Sequence, residues 1–208
     1  HTLRKNGFIL RKRIKYKGDK PKPGYEYVLK HIQSDAKSAS AKDISLGEAR
    51  PEDDKIELEA DVVYNVGSAG GTKTIYTLSN KIVVDEELSM TSDNFFSIYP
   101  VLSTLDIPAG IELMPVGGGS AMEWKISPGK LGFGDDLFGE VDITIWLFET
   151  ADGQLRIPEV SFDHEYLEDR QYDSEALGRA NDFLNHLIEY KKDMVGSGSS
   201  KSSKLFEL

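Results

Sequence analysis

Several stretches of the chain alternate apolar and polar positions with a period of two, the spacing that sends successive side chains to opposite faces of a strand. Residues 8–17 place Phe8, Leu10, Ile14 and Tyr16 on one face and Ile9, Arg11, Arg13, Lys15 and Lys17 on the other, which predicts a strand with a cationic row. Gly18 to Gly24, with Pro21 and Pro23, reads as a turn. Tyr25 to Lys30 then returns as a strand, Tyr25, Tyr27 and Leu29 opposing Glu26, Val28 and Lys30, and the pair predicts a hairpin. Residues 31–54 are polar and read as a loop or short surface helix. The alternation resumes over 56–64, with Ile56, Leu58, Ala60 and Val62 against Glu57, Glu59, Asp61 and Val63, an anionic counterpart of the first strand.

Further along, Gly67 to Gly71 reads as a turn, Thr74 to Asp85 as β, and Ser92 to Leu105 as a short helix stopped before Pro108. Glu112–Val116 and Met122–Ile126 are short strand candidates around the Gly117-Gly118-Gly119 turn, which lacks the Gly-Lys-Ser/Thr continuation of a phosphate loop. Residues 140–149 form the clearest buried strand, Val141, Ile143, Ile145 and Leu147 opposing Asp142, Thr144, Trp146 and Phe148. Asp152-Gly153 turns it into a hairpin partner over Leu155–Glu165. From Ser174 to Met194 the period becomes helical: Leu177, Ala180, Leu184, Leu187 and Ile188 make a stripe, Asp173 or Ser174 caps the start, and Lys191 and Lys192 suit the end. Residues 196–208 read as a flexible tail, leaving 1–195 as one domain.

Charge sharpens this pattern. The net charge is −10, yet the first thirty residues hold ten Lys and Arg against only Asp19 and Glu26. An acidic remainder repels nucleic acid and anionic lipid unless the basic face is enclosed, so a small, highly charged phosphate compound is the expected partner and nucleic acid is not. With no cysteine in the chain, disulfide frameworks, thiolate metal sites and cysteine nucleophiles are excluded, and a reducing, cytoplasmic setting is the expectation. Apolar runs are broken by charge within about ten residues, far short of the roughly 20 that span a bilayer, so no membrane helix or membrane partner is predicted. His1, His31, His164 and His186 show no ligand spacing, and Ser161 has no nucleophile-elbow context.

Leu3-Arg-Lys-Asn-Gly-Phe-Ile-Leu-Arg-Lys-Arg, followed after a glycine turn by Tyr25-Glu-Tyr-Val-Leu-Lys, resembles the CYTH family of triphosphate tunnel metalloenzymes. Ile56-Glu-Leu-Glu looks like that family's next acidic strand, and Gly139 to Phe162, with Ile157-Pro-Glu-Val-Ser-Phe, is similar to its late strands. The resemblance implies a mainly β (α+β) fold, a tunnel-like barrel of eight antiparallel strands with peripheral helices, one of them C-terminal. It further implies Arg and Lys gripping a triphosphate while carboxylates hold Mg²⁺ or Mn²⁺. Activities in the family include inorganic triphosphatase, thiamine triphosphatase and adenylyl cyclase. Carried over, Arg11, Arg13 and Lys30 contact phosphate, joined by Lys15 and by Lys125 in place of a mid-chain tunnel arginine. Glu159, Glu57, Glu59 and Asp163 are the implied metal-side carboxylates. The function implied is triphosphate binding with divalent-metal-dependent hydrolysis, the alternative being a binding module without turnover.

The chain also departs from the family pattern. Its late Glu-x-Glu-x-Glu run stands here as Glu159-x-Ser161-x-Asp163, one carboxylate fewer and one shorter. The opening Glu-x-Glu-x-Lys strand is not in the sequence, and the expectation is that it lies upstream, or that a neighbouring chain or the C-terminal tail fills its place. Each residue also has a plainer reading. A basic alternating row also describes a solvated strand face, Glu57 and Glu59 suit surface ion pairs, Glu159 and Asp163 suit a strand end, and Trp124 and Trp146 suit packing.

Overall fold

A computed structural model describes residues 2–47, 55–65, 71–116, 119–150, 153–164 and 172–191. The chain divides into two compact units, His1–Val63 with Thr72–Met114, and Tyr64–Gly71 with Pro115–Leu208.

The first unit is built on a four-stranded sheet. A one-turn helix α1 (Thr2–Lys5) leads into β1 (Phe8–Arg13), and a small ribbon of β2 (Tyr16–Lys17) and β3 (Lys20–Pro21) connects to β4 (Tyr25–Gln33). Gly7 makes the entry possible: its φ of +77° is a conformation other residues adopt only with strain, and its carbonyl accepts the Ile32 N–H at 2.8 Å. That is a physical reason for the glycine in the Leu-Arg-x-x-Gly stretch. β1 and β4 pair antiparallel as the hairpin reading predicts, with Arg11 opposite Val28 and Arg13 opposite Glu26. β5 (Ile56–Asn65) and β6 (Gly71–Val84) complete the order β1-β4-β6-β5.

One face of this sheet is dry. Phe8, Tyr27, Leu29, Leu78, Ile82 and Val84 pack with Ile44 beneath α3 (Ser92–Ile98) and the 3₁₀ turn Pro100–Thr104, which supply Phe95, Ile98, Tyr99 and Leu102. The helix predicted over Ser92–Leu105 is thus two short pieces. Two buried polar side chains tie the layers together. The Tyr99 hydroxyl lies 3.1 Å from the Tyr27 carbonyl and 3.2 Å from that of Asn80, and the Asn80 amide donates to the Ile44 carbonyl at 2.9 Å. Within 31–47, β4 runs on to Gln33 and α2 (Ala36–Ser40) begins at Asp35, whose carboxylate accepts the Ser38 N–H at 2.8 Å.

The second unit is a three-stranded meander, β7 (Ala121–Gly134), β8 (Leu137–Thr150) and β9 (Gly153–His164), with α4 (Ser174–Lys191) packed on it. β7 and β8 meet at Asp135-Asp136, both at positive φ, a two-residue turn that the sequence does not advertise with the usual Asn-Gly or Asp-Gly pair. Register shifts at Ile126/Gly129 and Gly132/Gly134 accommodate Pro128 and lengthen β7 well beyond the predicted Met122–Ile126. Phe133, Leu137, Tyr172, Ala176 and Ala180 form the core, with Phe162, Leu177 and Phe183 against it. The α4 stripe turns out to be used at Leu177 and Ala180, and the Asp173 carboxylate accepts the Glu175 N–H at 3.2 Å as a cap.

Three expectations are corrected. The eight-stranded tunnel-like barrel is not what forms: the described strands make antiparallel sheets of four, two and three, with no closure. Glu112–Val116 is not a strand, and Glu112 makes only an isolated bridge to Thr91. The burial expected of β8 is reversed, since Asp142 and Thr144 are 3% and 4% exposed while Ile143 and Ile145 are 42% and 38% exposed. The turn readings at 67–70, 117–118 and 152, and the tail at 196–208, lie outside the described residues.

Candidate functional site: two charged sheet faces

Because β1 and β4 alternate in register, the side chains facing away from the core share one surface. Arg11 and Arg13 on β1 stand beside Glu26, Val28 and Lys30 on β4, and Lys81 on β6 is opposite Val28, so a row Arg11–Val28–Lys81 crosses three strands. Neighbouring strands lie about 4.8 Å apart and same-face residues about 7 Å apart along a strand, so these cations cover a patch on the order of 10 Å across.

Carboxylates interleave with them. Glu26 is 5% exposed and lies 2.8 Å from Lys15 Nζ and 3.8 Å from Arg13. Burial by itself would raise its pKa, but the bond from Lys15 and the fields of Lys15, Arg13 and Lys81 outweigh it and hold the carboxyl below its ordinary value. Lys30 Nζ donates to Glu59 on β5 at 3.1 Å, and Thr77 reaches Asp61 at 3.5 Å, which places Glu57, Glu59 and Asp61 along the acidic edge of the same face. The face is basic at β1 and acidic at β5. Lys12, pointing to the other side, pairs with Glu87.

The second unit has its own polar face. The registers align Lys125 with Thr144 and Glu159, and Asp142 with Ser161, while Asp163 stands opposite Glu140. Asp142 accepts from both Lys125 and Ser127, and Trp146 Nε1 donates to Glu159 at 3.1 Å. Burial would lift the Asp142 pKa, yet the Lys125 ammonium and the Ser127 hydroxyl bring it below the ordinary carboxylate value. Lys125 moves up, chiefly through the same bond to Asp142, with Asp163 and Glu140 adding to it.

The structure therefore brings Arg11, Arg13, Lys15 and Lys30 together, with Glu57 and Glu59 at the border of that group, and sets Lys125, Glu159 and Asp163 on the three-stranded sheet. Glu159 and Asp163 are four residues apart on one strand, about 13 Å, too far to share an ion directly. Among the described residues no three His, Asp or Glu side chains stand close enough together to hold a metal. Sequence reasoning passed over Glu26, Lys81, Asp142 and Ser127. A signal existed for two of these: Glu26 shares its face with Lys30, and Asp142 interrupts an otherwise apolar strand.

No described helix is long and apolar enough to cross a membrane. No family model matches the chain, nor does any curated protein or solved structure.

Proposed function

We propose that the outward face of the four-stranded sheet binds a small anion of the triphosphate class, in keeping with the resemblance to CYTH proteins. The observation that supports this most is the convergence of Arg11, Arg13, Lys30 and Lys81 on adjoining strands of one face, joined by Lys15 from the link after β1 through its bond to Glu26. Linked phosphates offer several oxygens at short spacing. Arg forks take them in pairs and Lys ammonium groups take them singly, so a compact polyanion engages several cations at once where separate small ions cannot.

Glu26 and Glu59 already engage Lys15, Arg13 and Lys30. A ligand must therefore draw these cations from their carboxylates, and metal-dependent hydrolysis of the bound ligand is the further activity that the resemblance implies.

A thermal-shift titration tests the proposal. An anion bound only by the folded state raises the melting temperature by mass action, so tripolyphosphate is expected to stabilise the protein well beyond sulfate at matched ionic strength. Equal effects of the two anions reject it. Phosphate release from tripolyphosphate, measured with and without Mg²⁺, then separates a hydrolase from a binding module.

A further inference from the structure

Glu26 is a buried carboxylate set among cations. Its side chain is 6% exposed, with Lys15 Nζ at 2.8 Å from one carboxylate oxygen and Arg13 at 3.8 Å from the other. Lys81 acts on it from the far side: its register partner is Val28, two positions along β4 from Glu26 on the same face. A carboxylate ringed by three cations makes the charge-assisted bonds that a phosphate oxygen would make with the same groups.

The two nearest cations differ in freedom. Arg13 ends β1 and is 29% exposed, whereas the Lys15 side chain is 51% exposed and its residue lies in the short link between β1 and β2, outside any strand. Lys15 can swing without breaking a strand ladder.

Resting on the polyphosphate reading above, we propose that Glu26 is a built-in competitor for the ligand, holding Lys15 and Arg13 in the free protein until a polyphosphate draws Lys15 to itself. Such a competitor sets a threshold of charge. Orthophosphate or sulfate meets too few cations to offset the loss of a well-made buried pair, while a chain of phosphates reaching Arg11, Lys30 and Lys81 as well exceeds it. Glu26 thus weakens every anion that draws on Lys15, and only one that also engages Arg11, Lys30 and Lys81 still binds measurably.

The test is calorimetric titration of the full chain with tripolyphosphate and, separately, orthophosphate. Glu26→Gln keeps the shape and removes the charge, and it is expected to tighten tripolyphosphate binding about tenfold, the scale of one charge-assisted bond released to the ligand. Orthophosphate binding should strengthen by a similar factor, since the released cation serves either anion. Lys15→Ala is expected to change wild-type affinity less than about threefold, because in the wild type the Lys15 bond to ligand forms only at the expense of its bond to Glu26. In the Glu26→Gln background the same change should cost about tenfold.

A wild-type protein that binds while Glu26→Gln binds equally or more weakly overturns the competitor role and leaves the polyphosphate reading standing. Failure of both proteins to bind overturns that reading and the competitor with it. If circular dichroism shows Glu26→Gln unfolded, the single Lys15→Ala variant still decides: a loss of more than about threefold in the wild-type background means Lys15 is committed to ligand rather than to Glu26, and the proposal falls.

Discussion

Replacing Lys125 by Met tests whether the polar face of the second unit is held by its ion pair. Asp142 is 3% exposed and accepts from Lys125 and Ser127, so the substitution leaves a buried carboxylate with a single hydroxyl donor. Removing one partner of a fully buried pair costs about 3–5 kcal/mol. Here the Lys125 side chain is 49% exposed, so water screens one end, and a loss of about 1–2 kcal/mol at neutral pH is expected.

The pH dependence follows from the direction of the shift. Asp142 is held below its ordinary value, so the pair's contribution is present above the unfolded carboxylate pKa of about 3.9 and is lost as pH falls through the lower folded value. The difference between wild type and Lys125→Met should therefore shrink as the pH falls below the ordinary carboxylate range. Both tryptophans of the chain, Trp124 and Trp146, belong to β7 and β8, so urea unfolding followed by tryptophan fluorescence reports on this unit. The double variant Lys125→Met with Asp142→Leu should recover most of the loss, since an apolar pair asks for no charge compensation. A change below about 0.5 kcal/mol at neutral pH, or one that persists undiminished in acid, refutes the reasoning.

Two further outcomes are expected. Tyr99→Phe leaves the Tyr27 and Asn80 carbonyls without the hydroxyl that approaches them at 3.1 and 3.2 Å, and should cost about 1–3 kcal/mol in chemical denaturation. An unchanged midpoint would mean that the hydroxyl adds nothing to the first unit. Lys30→Ala removes a cation whose present partner is the half-exposed Glu59, so stability should move by less than about 1 kcal/mol while tripolyphosphate affinity falls by about tenfold or more; calorimetry showing equal affinity removes Lys30 from the binding face.

Alternation along a single strand is a local property, and the sequence alone determined it. That Phe8 and Leu10 share one face and Arg11 and Arg13 the other, and that Glu57 and Glu59 share a face, follows from the two-residue period and needs no knowledge of the rest of the chain. The capped helix at Ser174 and the Asp35 turn have the same origin, a side-chain oxygen close in sequence to the N–H it accepts.

What packs over each face, and which edges meet, was decided by tertiary structure. On β8 the period correctly separates Ile143 and Ile145 from Asp142 and Thr144, but nothing local says which set is covered, and the polar set is the buried one. Closure into a barrel needs distant edge strands to pair with a consistent tilt and stagger, and no single strand encodes that; here the strands pair as β1-β4-β6-β5 and β7-β8-β9. The partners of Glu26 and Asp142 were hidden for the same reason. A carboxylate's charge is written in the sequence, whereas the cation beside it arrives from another strand or loop, through a register that only the folded sheet supplies.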